Sequence, residues 1–96
     1  MSDKKLLLVG AGGFGRMASE QARLQYECAF VDDGQAVGTK VCGIPVVGRI
    51  LDLSTLRSKY DFLVVCIGNS KFRMQIYETA KELGYAFPNI VAPSAY

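Results

Sequence analysis

Residues 5–20 read KLLLVGAGGFGRMASE, and the fold is decided where the apolar run stops. Residues 6–9 are hydrophobic, Gly10-Ala11-Gly12-Gly13-Phe14-Gly15 follows, and a helical pattern begins at Gly13. A strand, a glycine turn and a helix opening in that order make the first unit of a nucleotide-binding βα fold. Gly10 permits the turn, Gly12 lets backbone approach a ligand, and Gly13 or Gly15 lets the helix pack tightly on the sheet. Free N–H groups at the helix start then face an anion.

Outward from that unit, strands and helices alternate, as in a parallel sheet with helices on both faces. The first strand is expected over residues 6–10 and the first helix from Gly13 to about residue 24. ECAFV, residues 27–31, is the second strand and ends in Asp32-Asp33-Gly34; GQAVGTKVCG then reads as a loop. Residues 44–47 make a short third strand, placed at a sheet edge because Pro45 cannot donate to a ladder. Asp52 is expected to cap a short helix that turns Leu53, Leu56 and Tyr60 inward. FLVVCI, residues 62–67, is the most hydrophobic strand and is expected to be central. Ser70 is expected to cap a helix with Phe72, Ile76, Ala80 and Leu83 inward, which Gly84 stops. The tail YAFPNIVAPSAY has room for a fifth strand. The expected fold is therefore α/β: a Rossmann-like three-layer αβα domain over residues 1–96, its short parallel sheet ordered 3-2-1-4.

Composition limits the function classes. The net charge of +2 comes from 11 basic and 9 acidic residues interspersed along the chain, which does not suggest nucleic acid. No apolar run approaches the length of a membrane helix. The three cysteines form no CxxC pair and no signal peptide precedes them, so a reducing cytoplasm fits, with Cys28 and Cys66 as core residues. The absence of histidine removes the commonest general base and the commonest zinc ligand. No catalytic residue and no metal site is expected, and a binding module fits better than an enzyme complete in itself.

Ligands of such sheets bind outside the strand ends at the point where strand order reverses. Three segments converge there: GAGGFGR after the first strand, VDDG after the second and CIGNSKFR after the fourth. Arg16, Lys71 and Arg73 lie in first helical turns, where the helix dipole disfavours a cation by roughly 0.3–1 kcal/mol. A bound diphosphate would balance all three. Asp32, twenty-two residues after Gly10, stands where an acid meets a ribose hydroxyl. Asp33 reads equally as a solvent-exposed turn residue or a contact, and Asn69 equally as a helix cap or a contact. These residues alone leave a dinucleotide, NAD(H), and a nucleotide-sugar both open.

The segments KKLLLVGAGGFGRMASE, FVDDG, VGTKVCGIPVVG, CIGNSKFR and ELGYAFPNIVAPSA together resemble the N-terminal domain of bacterial sugar O- and N-acyltransferases of the NeuD and PglD type. The resemblance covers nearly the whole chain in order and spacing. It implies a domain that binds the UDP part of a UDP-amino-sugar for glycan or surface-polysaccharide biosynthesis. Gly12, Gly13, Phe14 and Gly15 would line the diphosphate and sugar, Asp32 and Asp33 would meet the uridine, and Ile67, Gly68 and Asn69 would flank base or ribose. Lys71 and Arg73 match basic positions of the family pattern. The resemblance further implies a left-handed β-helix after this domain, carrying the catalytic histidine, the acetyl-CoA site and a trimer interface. This domain itself is expected to bind no cofactor. Ala92 stands where the family pattern has a histidine before Pro93-Ser94-Ala95, and the chain stops where the β-helix is expected to begin.

Overall fold

The computed structural model describes residues 4–88. Its strands are β1 (Lys5–Val9), β2 (Glu27–Val31), β3 (Lys40–Val41), β4 (Ile44–Gly48) and β5 (Phe62–Val65). The helices are α1 (Gly13–Ala22), α2 (Leu53–Leu56) and α3 (Ser70–Leu83), with a 3-10 turn at Ile50–Asp52 leading into α2. The sheet order is β3-β4-β2-β1-β5. β1 pairs in parallel with β2 and β5, and β2 in parallel with β4. The four expected strands thus keep their expected order, as β4-β2-β1-β5, in a Rossmann-like αβα arrangement.

β1 shows why its sequence is apolar at every position. Successive strand side chains point to opposite faces, and both faces of this strand are covered. Leu6 and Leu8 join Phe30, Val46 and Ala22 on the α1 side. Leu7 and Val9 join Val31, Leu63, Leu53, Ile76 and Ala80 on the α2–α3 side. The alternate burial is complete at Leu6, Leu7, Leu8 and Val9. On α1 the buried stripe is Gly15, Ser19 and Ala22, and the Ser19 hydroxyl donates to the Arg16 carbonyl oxygen at 2.7 Å.

Several local expectations are corrected. The stretch read as a loop holds β3, which pairs antiparallel with β4 as Lys40↔Pro45 and Val41↔Ile44. β4 is therefore not outermost, and Pro45 is tolerated because the β2 ladder begins only at Phe30↔Val46, one residue later. The most hydrophobic strand, β5, is terminal rather than central in the five-stranded sheet. Beyond it, Ala86 makes an isolated parallel bridge with Phe62. The fifth strand expected in the tail falls largely on residues 89–96, outside the described residues, as do Ala92 and the motif after it.

The caps also differ from expectation. Asp52 does not cap α2; its Oδ2 accepts from the Arg49 N–H at 2.9 Å and closes the 3-10 turn. Asn69, not Ser70, caps α3, its Oδ1 accepting from the Phe72 N–H at 3.0 Å. Gly84 ends that helix in the left-handed region at φ 94, as expected of a C-terminal glycine. On this geometry Asn69→Ala is expected to lower the unfolding free energy by about 1 kcal/mol in urea denaturation. An unchanged midpoint would remove the cap from the account. α1 ends at Ala22, and a turn carries the exposed Leu24. No helix among the described residues is long and apolar enough to cross a membrane.

Candidate functional site

The candidate site lies at the carboxyl ends of β1, β2 and β5, where the loop sequences decide its shape. Gly10 has φ 105 and its N–H donates to the Val31 carbonyl oxygen at 2.8 Å, so the chain turns immediately after β1. A Cβ there would lie 3.0 Å from the Cys66 carbonyl oxygen, so the turn also needs the close approach only glycine allows. Gly15 faces inward, and a side chain on it would collide with the Gly10 carbonyl oxygen. Its role is helix-on-sheet packing. Gly12 and Gly13 are the opposite case: nothing lies within 4 Å of where their Cβ atoms would stand. Gly12 is the N-terminal flanking residue of α1 and no side chain caps the helix there. The start of α1 is thus open to an incoming anion.

Two hollows flank this loop and share Ile67. One, of about 160 Å³, is bounded by Gly10, Asp32, Asp33, Ile50, Ile67 and Phe72. The other, of about 170 Å³, lies under Phe14 and is walled by Cys66, Ile67, Gly68 and Arg73. Phe14 is 52% exposed, and its ring edge lies 3.2 Å from where a Gly68 Cβ would stand, so a side chain there would push the ring aside by a few tenths of an ångström. A larger apolar groove of about 480 Å³ runs along the outer side of β5 past Arg73, Met74, Tyr77 and Phe87.

The residues singled out from the sequence separate accordingly. Gly10, Asp32, Asp33 and Ile67 meet in the first hollow, and Phe14, Ile67, Gly68 and Arg73 in the second. Gly12 and Gly13 stand open at the helix start, whereas Asn69 is engaged as a cap. Arg16 and Lys71 are exposed and line neither hollow. Among the described residues the ion pairs are Lys5–Glu27 and Arg57–Asp61, so Arg16, Lys71 and Arg73 have no acidic partner.

Sequence reasoning missed Ile50 and Phe72. Ile50 follows β4, whose carboxyl end also faces the site, so every strand end should have been counted. Phe72 reads as an inward residue of α3 by periodicity, yet in the first turn that face looks into the hollow, and the residue is 41% exposed.

Asp32 is the most heavily engaged side chain at the site. Its Oδ2 accepts from the Ala11 N–H and its Oδ1 from the Gly34 N–H, both at 2.7 Å. Asp33 Oδ1 accepts from the Ile50 N–H at 2.9 Å. Burial holds the Cys66 thiol protonated, its pKa pushed up to about 12, so the thiol nearest the second hollow is a packing group, not a nucleophile. Among the described residues no group of three potential metal ligands stands together. The arrangement sets an open helix start and free cations beside two small hollows, chemistry compatible with an anionic ligand.

Comparison with known families supplies the assignment. Residues 5–80 match the PglD N-terminal domain. The chain belongs to that family. Among solved structures, the PglD N-terminal fold recurs in the acetyltransferase domain of PglB from Neisseria gonorrhoeae FA1090, in complex with acetyl coenzyme A. That structure is 38% identical with a TM-score of 0.81, over 94% of this chain and 44% of that one. A histidine-to-asparagine mutant of perosamine N-acetyltransferase from Caulobacter crescentus, in complex with CoA and GDP-perosamine, is 30% identical with a TM-score of 0.81, over 96% of this chain and 44% of that one. A Rex-family repressor, RSP, aligns with a TM-score of 0.64 at 16% identity over 96% of this chain and 49% of that one, a likeness of fold alone. Comparison with curated proteins returns no significant match. This PglD N-terminal domain spans less than half the length of the solved acetyltransferases it matches.

Proposed function

We propose that this chain is the nucleotide-sugar-binding domain of a sugar acetyltransferase, and that its ligand is a UDP-amino-sugar used in glycan or surface-polysaccharide biosynthesis. The observation that carries the reading is the pair of hollows sharing Ile67, with the open Gly12–Gly13 helix start in the loop that walls both. The nucleoside takes the hollow beside Asp33 and Ile50, the diphosphate takes the helix start with Arg16 and Lys71 within reach of solvent-side oxygens, and the sugar lies against Phe14 and Arg73. The GDP-perosamine bound by the Caulobacter crescentus relative supports the ligand class.

In the complete enzyme the sugar amine or hydroxyl attacks the thioester carbon of acetyl-CoA. Its proton passes to a histidine and CoA leaves as the thiol. On this proposal that base and the acetyl-CoA site lie in a left-handed β-helix of the full-length enzyme, which assembles as a trimer in the cytoplasm; the 96 residues given contain no histidine. This domain contributes position and orientation, which alone can lower a barrier by several kcal/mol.

Calorimetric titration with UDP, UDP-N-acetylglucosamine, GDP and NADH at one low salt concentration tests the reading. Saturable heat from the uridine nucleotides is expected, with none from NADH. Preference for GDP would overturn the uridine assignment, and binding of NADH alone would overturn the nucleotide-sugar domain.

A further inference from the structure

The glycine loop is pinned at two consecutive residues and then released. Gly10 is held by its own N–H on the Val31 carbonyl, and Ala11 by its N–H on Asp32 Oδ2 at 2.7 Å. Past Ala11 come Gly12 and Gly13, where a Cβ would enter open space. The other oxygen of Asp32 is occupied by the Gly34 N–H at 2.7 Å, which fixes the carboxylate relative to its own loop. Asp33 repeats the device in the other direction, holding the Ile50 N–H after β4. The two aspartates therefore tie together the loops after β1, β2 and β4 through backbone N–H groups alone.

We propose that Asp32 is a positioning residue: it straps the glycine loop in its binding geometry before a ligand arrives, and binding depends on it through that loop rather than through a direct contact. An ionised carboxylate only accepts hydrogen bonds, which suits two converging backbone N–H groups. An amide of the same shape has one acceptor oxygen and one NH₂ donor, so in Asp32→Asn one backbone N–H must face another donor. A ribose hydroxyl both donates and accepts, so a residue that merely touched ribose would tolerate the amide. The substitution thus separates a strap from a contact. The affinity measurement rests on the nucleotide-sugar reading, whereas amide exchange in the unliganded chain does not.

The experiment compares wild type and Asp32→Asn by amide hydrogen exchange without ligand, then by UDP titration at a temperature where both are folded. Whichever of the Ala11 and Gly34 amides then faces the NH₂ group of the introduced asparagine is expected to exchange about ten- to a hundredfold faster in the variant, with Gly10 and Ile50 unchanged. UDP is expected to bind roughly tenfold more weakly. Weaker binding with unchanged exchange would make Asp32 a direct contact and overturn the strap. Faster exchange with unchanged affinity would leave a purely structural bond and overturn its positioning role. If the variant does not fold, a through-bond coupling between the Ala11 amide nitrogen and the Asp32 carboxyl carbon in wild type decides the matter, its absence overturning the proposal. A wild type that binds no UDP sinks the substrate reading alone, and exchange at Ala11 and Gly34 still decides the strap.

Discussion

Gly15→Ala is expected to lower the unfolding free energy by about 3 kcal/mol and the Tm by roughly 15 °C. The φ of Gly15 lies outside the left-handed region, so an alanine would meet no backbone strain. The obstacle is steric. The added Cβ would collide with the Gly10 carbonyl oxygen, lying 3.0 Å from the Gly10 carbonyl carbon and 3.2 Å from the Phe30 ring edge. None of these groups can yield cheaply. Gly10 is fixed to β2 through its N–H and Phe30 is fully buried in the core. Helix α1 must therefore lift from the sheet, and Ala22 and Ser19 lose packing with it. Gly13→Ala is the control, because its Cβ enters open space and alanine favours the helix by up to about 1 kcal/mol. Urea denaturation of both variants checks the contrast; Gly15→Ala within about 0.5 kcal/mol of wild type would show that the helix does not rest on the Gly10 carbonyl.

The packing glycine was legible only as Gly13 or Gly15, because strand, turn and helix opening succeed one another within sixteen residues but do not say which glycine faces the sheet. The order β4-β2-β1-β5 was legible because short right-handed crossovers leave few alternatives. The position of β5 within the sheet was misjudged for an instructive reason. Apolarity reports cover on the two faces of a strand, not neighbours in the hydrogen-bonding direction. Leu63 is fully buried beneath α3 although its strand ends the ladder of five. β3 was illegible because two residues joined by a tight turn, Cys42 at φ 53 and Gly43 at φ 79, have no hydrophobic period to read. Asn69 and Ser70 rank alike as caps, and only the backbone geometry chose between neighbours.

The site was legible as a set of loops more than as a set of contacts. Spacing placed Asp32 beside the glycine turn, and it stands there. Spacing could not reveal that two backbone N–H groups already claim its oxygens, since that depends on the path of residues 32–34. Exposed Phe14 shows the same gap. The family resemblance set Phe14 against a ligand, but only the folded backbone brings its ring beside Gly68, at the wall of the second hollow.

Raising the pH from 8 to 11 is expected to lower the unfolding free energy by about 4 kcal/mol. Burial pushes the Cys66 thiol from 9.0 up to about 12, with Cys28 nearby acting in the same direction. Burial likewise raises the Tyr85 hydroxyl from 10.0 to about 12 against the opposing pull of Arg57, and that hydroxyl donates a buried bond to the Leu53 carbonyl oxygen at 2.6 Å. Each group keeps its proton in the folded chain at a pH where the unfolded chain releases it. Their stabilisation is therefore complete below about pH 9 and is lost as the pH climbs towards 12. Cys66 accounts for about 3 kcal/mol of the expected loss and Tyr85 for about 1. Half-buried Cys28, raised to about 11 mainly by burial and lowered by Arg23, adds a further loss of the same sign that solvent screening of its exposed half reduces. Urea denaturation at pH 8 and pH 11 measures the drop. Cys66→Ala should be less stable at pH 8, because it leaves a cavity, yet its drop between the two pH values should shrink by about 3 kcal/mol. An equal drop in wild type and variant would show that the thiol under the second hollow does not govern the alkaline limit of this fold.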